Sequence, residues 1–301
     1  MTEPSAVGEA GDLRSGKGHR DENFPVASFI LKPVHRGPIL AFYRFARTAD
    51  DVADHAAASQ DEKLELLEGM RATLAGERDD SPEAVALREI LAERGLSPVH
   101  GLDLLVAFKR DVTKSRYADW GELMDYCRYS ACPVGRFVLD VHGEDRALWP
   151  ANDALCAALQ VINHLQDCGK DHAELDRTYL PTSELASAGA SVEALGAPKA
   201  SPALRRVIVD CARRTQGLLD RSRPFAAGIR DGRLAYEVAL IQRLAESLAA
   251  RLAARDPLSE RVHHRPWEVL GLAALAGVDR LTGRGRREAA AVLALGSGEA
   301  Q

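Results

Sequence analysis

Apolar residues recur at three- and four-residue spacing along almost the whole chain, and no stretch alternates apolar and polar positions between turn residues as a strand would. This pattern predicts an all-α fold with helices over 34–56, 60–76, 82–94, 100–112, 119–130, 134–142, 151–175, 201–223, 232–255 and 265–277. The third of these is the best punctuated, with Ser81 as N-cap, Pro82 at the first helical position and Gly95 just past the end. The longest irregular connection runs from Pro181 to Pro202, with a helical turn expected around Ser191 to Leu195. Residues 1–21 read as a disordered arm, 22–279 as one helical domain and 280–301 as a C-terminal tail.

Two helices carry polar stripes that their apolar faces do not explain. Each residue of a helix advances about 100°, so Tyr43, Arg47, Asp50 and Asp54 fall within roughly 60° of one another. Phe42, Phe45, Ala46, Ala49, Val52 and Ala53 cover the adjoining arc, which assigns Arg44, Thr48, Asp51 and His55 to the solvent side. Asp50 and Asp54 repel each other at this spacing by roughly 0.2–0.5 kcal/mol when exposed, and by more at a buried edge, unless a cation sits between them.

The helix expected over 151–175 is apolar around most of its circumference, through Leu155, Ala157, Ala158, Leu159, Val161, Ile162, Leu165 and Cys168. Its one polar stripe runs Gln160, Asn163, Asp167, Asp171 and Glu174. An isolated D-x-x-x-D is a weak signal, since most such pairs are solvated faces with local arginine partners. Two of them on helices with wide apolar faces point instead to Mg²⁺, a hard cation completed by water and phosphate oxygens. Acids beside apolar walls suit a ligand with a diphosphate head and a hydrocarbon chain.

Composition narrows the partners. A net charge of -5 with Lys and Arg spread along the chain offers no basic stripe for nucleic acid. Five cysteines without paired spacing give neither a disulfide framework nor a zinc site, which fits a reducing cytoplasm. The first residues lack an apolar signal region, and the longest apolar run, Val269 to Val278, is about half a membrane span. No Gly-rich fingerprint follows a strand, so no NADPH is expected. His35, His55, His142, His164 and His172 are scattered and are assigned surface or capping roles; Cys127 and Cys132 are assigned to helix packing.

The strings Arg47-Thr-Ala-Asp-Asp-Val-Ala-Asp54 and Gln160-Val-Ile-Asn-His-Leu-Gln-Asp-Cys-Gly-Lys-Asp171, followed by Arg177-Thr-Tyr-Leu-Pro181, resemble the two signatures of squalene and phytoene synthases. Ser28-Phe29, Tyr126-Cys127, Ser130-Ala131, Val134-Gly135 and Arg265-Pro266 extend the resemblance over roughly residues 22–275. It implies the single-domain isoprenoid synthase helical fold with a central cavity. It also implies that Asp50, Asp54, Asn163, Asp167 and Asp171 hold two or three Mg²⁺ and a diphosphate, that Ser28, Tyr43, Arg47 and Arg265 contact phosphate oxygens, and that Gln166 contacts the substrate. Tyr126 and Tyr179 would line the cavity, and Gly135 would let the isoprenoid chain approach a helix closely, or mark a bend beside Pro133.

Within the family the chain most resembles the bacterial hopanoid-pathway hydroxysqualene synthases, which convert presqualene diphosphate and water to hydroxysqualene and diphosphate. The supporting residues are Glu22-Asn-Phe-Pro-Val26, Asp111-Val-Thr-Lys-Ser-Arg-Tyr117, His164, and Gln166, where condensing members usually carry Arg. The rival readings are an enzyme condensing two prenyl diphosphates and, from another class, a catalytically silent helical assembly factor. A cytoplasmic enzyme of this kind leaves room for peripheral contact with the membrane and for association with other squalene-pathway enzymes.

Overall fold

Prolines in first turns and a left-handed glycine past a last one set several helix ends. In the computed structural model, which describes residues 32–282, the order is α1 (Pro33–Asp54), α2 (Gln60–Leu74), α3 (Pro82–Arg94), α4 (Val99–Thr113), α5 (Trp120–Ser130) and α6 (Cys132–Val141). There follow α7 (Trp149–Gln166), α8 (Cys168–Leu175), α9 (Thr182–Ala188), α10 (Pro202–Ser222), α11 (Phe225–Gly228), α12 (Gly232–Ala254) and α13 (Pro266–Thr282). The expected arm, Ser28, the string Glu22 to Val26 and the tail beyond 282 lie outside the described residues.

The third helix starts and stops where its punctuation says, with Pro82 in the first turn and Gly95 at φ 64, although the Ser81 side chain accepts no capping hydrogen bond. A full capping box occurs at α2 instead, where Ser59 and Glu62 exchange side-chain and backbone bonds.

The expected helix over 151–175 is two helices. It breaks at Asp167, whose backbone leaves helical values at φ -100, ψ 8. The apolar circumference that buries α7 ends at Cys168, and the polar residues beyond it give the helix no stripe to bury along the same axis. The connection over 181–202 contains α9 as well as the expected turn, found at Val192–Gly196. A seven-residue helix anchored by the single buried Leu185 is too short to show a period.

α7 is the central element, packed against α5, α6, α10 and α12, while α1 lies on α3 and α4. Ala154, Leu155, Ala157, Ala158, Val161 and Ile162 are its buried surface. α6 reaches α7 at Gly135, where a Cβ would stand 2.0 Å from Asn152 Oδ1 and 2.6 Å from Cys156 Sγ. Glycine therefore serves the contact between two helices, and this corrects the expectation that Gly135 lets substrate approach. All five cysteines are free thiols, with Cys127 and Cys132 buried as expected. α13 lays Ala276 on Leu240 and Leu244 of α12 and leaves Trp267 and Leu270 exposed. No helix among the described residues is long and apolar enough to cross a membrane.

One feature had no helical signature. A single parallel bridge joins Arg116 to Thr178, continued by Thr178 N donating to Ser115 O at 2.9 Å and Thr182 N donating to Tyr117 O at 2.9 Å. This clasp brings the segment after α4 alongside the segment after α8, and it positions most of the site.

Candidate active site

α1 presents Arg47, Asp50 and Asp54 on one face, as the spacing predicts, with Tyr43 half-buried one turn earlier. Arg47 Nη1 donates to Asp50 Oδ2 at 2.9 Å. Its Nη2 pairs with Asp51 at 3.0 Å, and Asp51 is the more enclosed carboxylate, 10% exposed against 40% for Asp50. The expectation that Asp51 faces solvent is thus corrected: Arg47 draws it in from the flank, while Asp50 keeps an open edge toward the cleft.

Asn163 lies on α7, and Asp167, exposed at the α7–α8 junction, donates its backbone N to Asn163 O at 2.9 Å. Asp171 follows one turn into α8. Desolvation and Asp167 push the Asp171 carboxyl up to about 7, with Asp54 adding to the rise and Arg177 opposing it. Desolvation and Asp54 likewise push Asp50 up to about 7 against the pull of Arg47. The two acidic pairs therefore share one field, with Asp54 felt by both. Carboxylates that raise one another with too little positive charge among them are hard oxygen donors of the kind a divalent cation such as Mg²⁺ would take.

Both raised carboxyls bind protons more tightly in the folded chain than in the unfolded one. Without metal, stability should therefore fall as pH rises from the ordinary carboxylate range through about 7, and level off above. Mg²⁺ competes with those protons, so the melting-temperature rise it produces should be small near about pH 5 and much larger near about pH 8. Thermal denaturation with and without Mg²⁺ at the two pH values measures this. Equal shifts would mean that these carboxyls do not meet the ion.

Next to the acids, Tyr126 and Tyr179, both expected at the cavity, belong to a buried cluster with Asp111, Tyr117, Arg177 and His164. Arg177, after α8, donates from Nη1 to Asp54 Oδ1 at 3.1 Å and from Nη2 to the backbone oxygen of Asp111 at 3.0 Å. The Asp111 carboxylate accepts from Tyr126 Oη at 2.8 Å and from Tyr179 Oη at 3.2 Å. Burial raises Asp111 to about 6, held back by Arg177 and the Tyr126 hydrogen bond. Tyr117 stacks on Tyr179 at 5.5 Å and leans on Tyr126 at 5.1 Å. Asp111, Tyr117 and Arg177 stood in the quoted strings, yet no single-helix stripe contains them, because the bridge between Arg116 and Thr178 assembles them.

His164 belongs to the same cluster. It is buried, its ring stacks on Tyr179 at 3.4 Å and 15°, and Tyr126 is 6.0 Å away. Burial and the nearby Arg177 hold it down to about 3, so it is a neutral imidazole at any ordinary pH. This overturns the surface or capping role expected of it. His55, by contrast, does cap, accepting Ala58 N at 3.1 Å.

Gln166, expected at the substrate, and Arg265, expected at the phosphates, each meet a protein partner. Gln166 is buried and its amide donates to the backbone oxygen of Val262, which ties α7 to the segment leading into α13. Its direction, off the flank of the acidic stripe, makes it a structural tether. Arg265 is exposed at the start of α13 with its guanidinium over the Trp267 ring at 5.2 Å.

Fold and site together define an all-helical enzyme in which two aspartate-bearing segments stand beside a buried cluster of Asp111, Arg177, His164 and three tyrosines. The squalene/phytoene synthase family profile matches residues 18–268, and the chain belongs to that family. It is 58% identical over 274 residues to a hydroxysqualene synthase of Zymomonas mobilis, covering 90% of this chain and 92% of the relative. It is 59% identical over 259 residues to a hydroxysqualene synthase of Rhodopseudomonas palustris, covering 86% and 89%. Among solved structures, squalene synthase HpnC from Alicyclobacillus acidocaldarius is similar, with 36% identity, a TM-score of 0.66, and 76% of this chain and 86% of that one covered.

Proposed function

We propose that the chain is a hydroxysqualene synthase, converting presqualene diphosphate and water to hydroxysqualene and diphosphate. The observation that carries this is the identity of 58% and 59%, over most of both chains, with two relatives of that name. The site supports the reading, since Arg47 and the two aspartate pairs, coupled through Asp54, can meet one diphosphate.

In this reading Asp50, Asp54, Asn163, Asp167 and Asp171 hold Mg²⁺, which when bound neutralises the charge developing on the departing diphosphate. Arg47, anchored by Asp50 and Asp51, adds a fixed positive charge beside the same oxygens. Arg177 keeps Asp54 and Asp111 in place from below. The buried group of Tyr117, Tyr126 and Tyr179 would give the carbocation left behind an aromatic surround, and a closed wall would exclude bulk water until one molecule is admitted.

The test is product analysis with the purified protein. Supplied with presqualene diphosphate and Mg²⁺, and without NADPH, it should form hydroxysqualene whose oxygen comes from labelled water, and chelation by EDTA should stop turnover. Squalene or phytoene made efficiently from two prenyl diphosphates would establish the condensing reading instead, and absence of any Mg²⁺-dependent turnover would leave a silent helical assembly factor.

A further inference from the structure

The reaction just proposed needs a group that holds one water against a carbocation, and the inference drawn here rests on that reading. Such a group must offer a lone pair, must carry no positive charge of its own, and must not already be committed to a protein partner. Several polar side chains belong to the buried aromatic cluster or adjoin it. The hydroxyls of Tyr126 and Tyr179 both donate to Asp111. Asp111 receives these two bonds and faces Arg177. The Gln166 amide is tied to Val262.

His164 differs from all of them. Its Nε2 is buried and has no hydrogen-bond partner. On the wheel of α7 it stands about 40° from Gln160 and about 60° from Asp167, which puts it on the polar flank one turn from the second acidic pair. Its ring is clamped face to face on Tyr179, so its orientation is fixed before any ligand arrives. The Tyr117 hydroxyl is also buried without a partner, but a phenol oxygen is a far weaker proton acceptor than an imidazole nitrogen.

We propose that His164 is the residue that positions the water which captures the carbocation, accepting that water's hydrogen bond at Nε2. The ionised substrate has already lost its C–O bond to diphosphate, and the electron pair has left with the diphosphate. An oxygen lone pair of the water forms the new C–O bond. The oxonium so formed gives one proton to the released diphosphate, while the other stays in its hydrogen bond to His164 Nε2, which remains neutral. A neutral ring adds no repulsion to the cation, and a water bonded to a fixed nitrogen attacks from one direction, which selects one alcohol among the products open to a delocalised cation.

The experiment compares native protein with His164→Leu and His164→Gln, with presqualene diphosphate and Mg²⁺ as reactants, reading diphosphate release and product identity separately. Leucine fills the space but accepts no hydrogen bond; glutamine restores an acceptor. The expected result is that His164→Leu still releases diphosphate, while the share of hydroxysqualene among its products falls by about tenfold or more in favour of hydrocarbons formed by proton loss or of rearranged alcohols. His164→Gln should recover part of that share. An unchanged share in His164→Leu overturns the proposal, as does a loss of diphosphate release in both variants with the product ratio intact, which is what a purely structural residue would give. If the native protein forms no hydroxysqualene from presqualene diphosphate, the reading of the reaction fails and this role falls with it. Hydroxysqualene from the native protein with an unchanged share in the variant sinks the role of His164 alone.

Discussion

Asparagine in place of Asp50 or Asp167 should lower turnover by about a thousandfold while the helical circular dichroism stays unchanged. Each substitution removes one anionic oxygen from the set proposed to hold Mg²⁺, and about 4 kcal/mol of lost transition-state stabilisation corresponds to that factor. A second readout separates ligand loss from unfolding. Asp50 is raised to about 7 by burial and by Asp54, so in metal-free protein above that pH the carboxylate is a repulsive charge. Removing it should leave the melting temperature unchanged or higher, an inactive protein that is no less stable. Asp51→Asn should cost less activity, since Arg47 still has Asp50 to anchor it. A thermally weakened Asp50→Asn, or an Asp51→Asn just as inactive, would reverse the roles given to the two faces of α1.

Arg177→Met should damage both stability and activity. Arg177 and Asp111 are 9% and 7% exposed, and removing one partner from a buried charged pair typically costs about 3–5 kcal/mol because the other charge stays buried without compensation. Asp54 would lose its partner at 3.1 Å, and the Asp111 carboxyl, which Arg177 now restrains, would take up a proton at a higher pH. Denaturant unfolding measures the first effect. Adding Asp111→Asn to the Arg177 variant should recover much of the stability and none of the activity, because the mismatch of charge is removed while the cleft stays unbraced. Additive losses in the double variant would show that the two residues act independently.

Much of the fold could be read in the residues because most helices here bury a face of their own. α1 ran within two residues of its expected bounds, and its aspartates shared the face their spacing assigned. What escaped was settled between elements. The break at Asp167 depends on where α8 finds packing, and the position of Asp51 depends on which way Arg47 reaches. Asp111, Arg177 and Tyr117 meet through a bridge of one residue pair, too short for any periodicity. His164 was misplaced for a related reason: a lone histidine on an apolar helix shows its neighbours only once Tyr179 is brought across by that bridge.

The pair formed by Asp54 and Arg177 spans 123 positions of sequence. Closing a loop of that range costs chain entropy, which the helices between the two residues must offset by packing. During synthesis, a chain that has produced α1 through α7 holds Asp54 and Asp111 with no guanidinium yet made to meet them. The pair consequently waits for the segment after α8, and any ligand that prefers the assembled site stabilises distant stretches of the chain together. A substrate analogue should accordingly slow hydrogen exchange in α1 and in the segment after α8 to the same degree, as one cooperative unit.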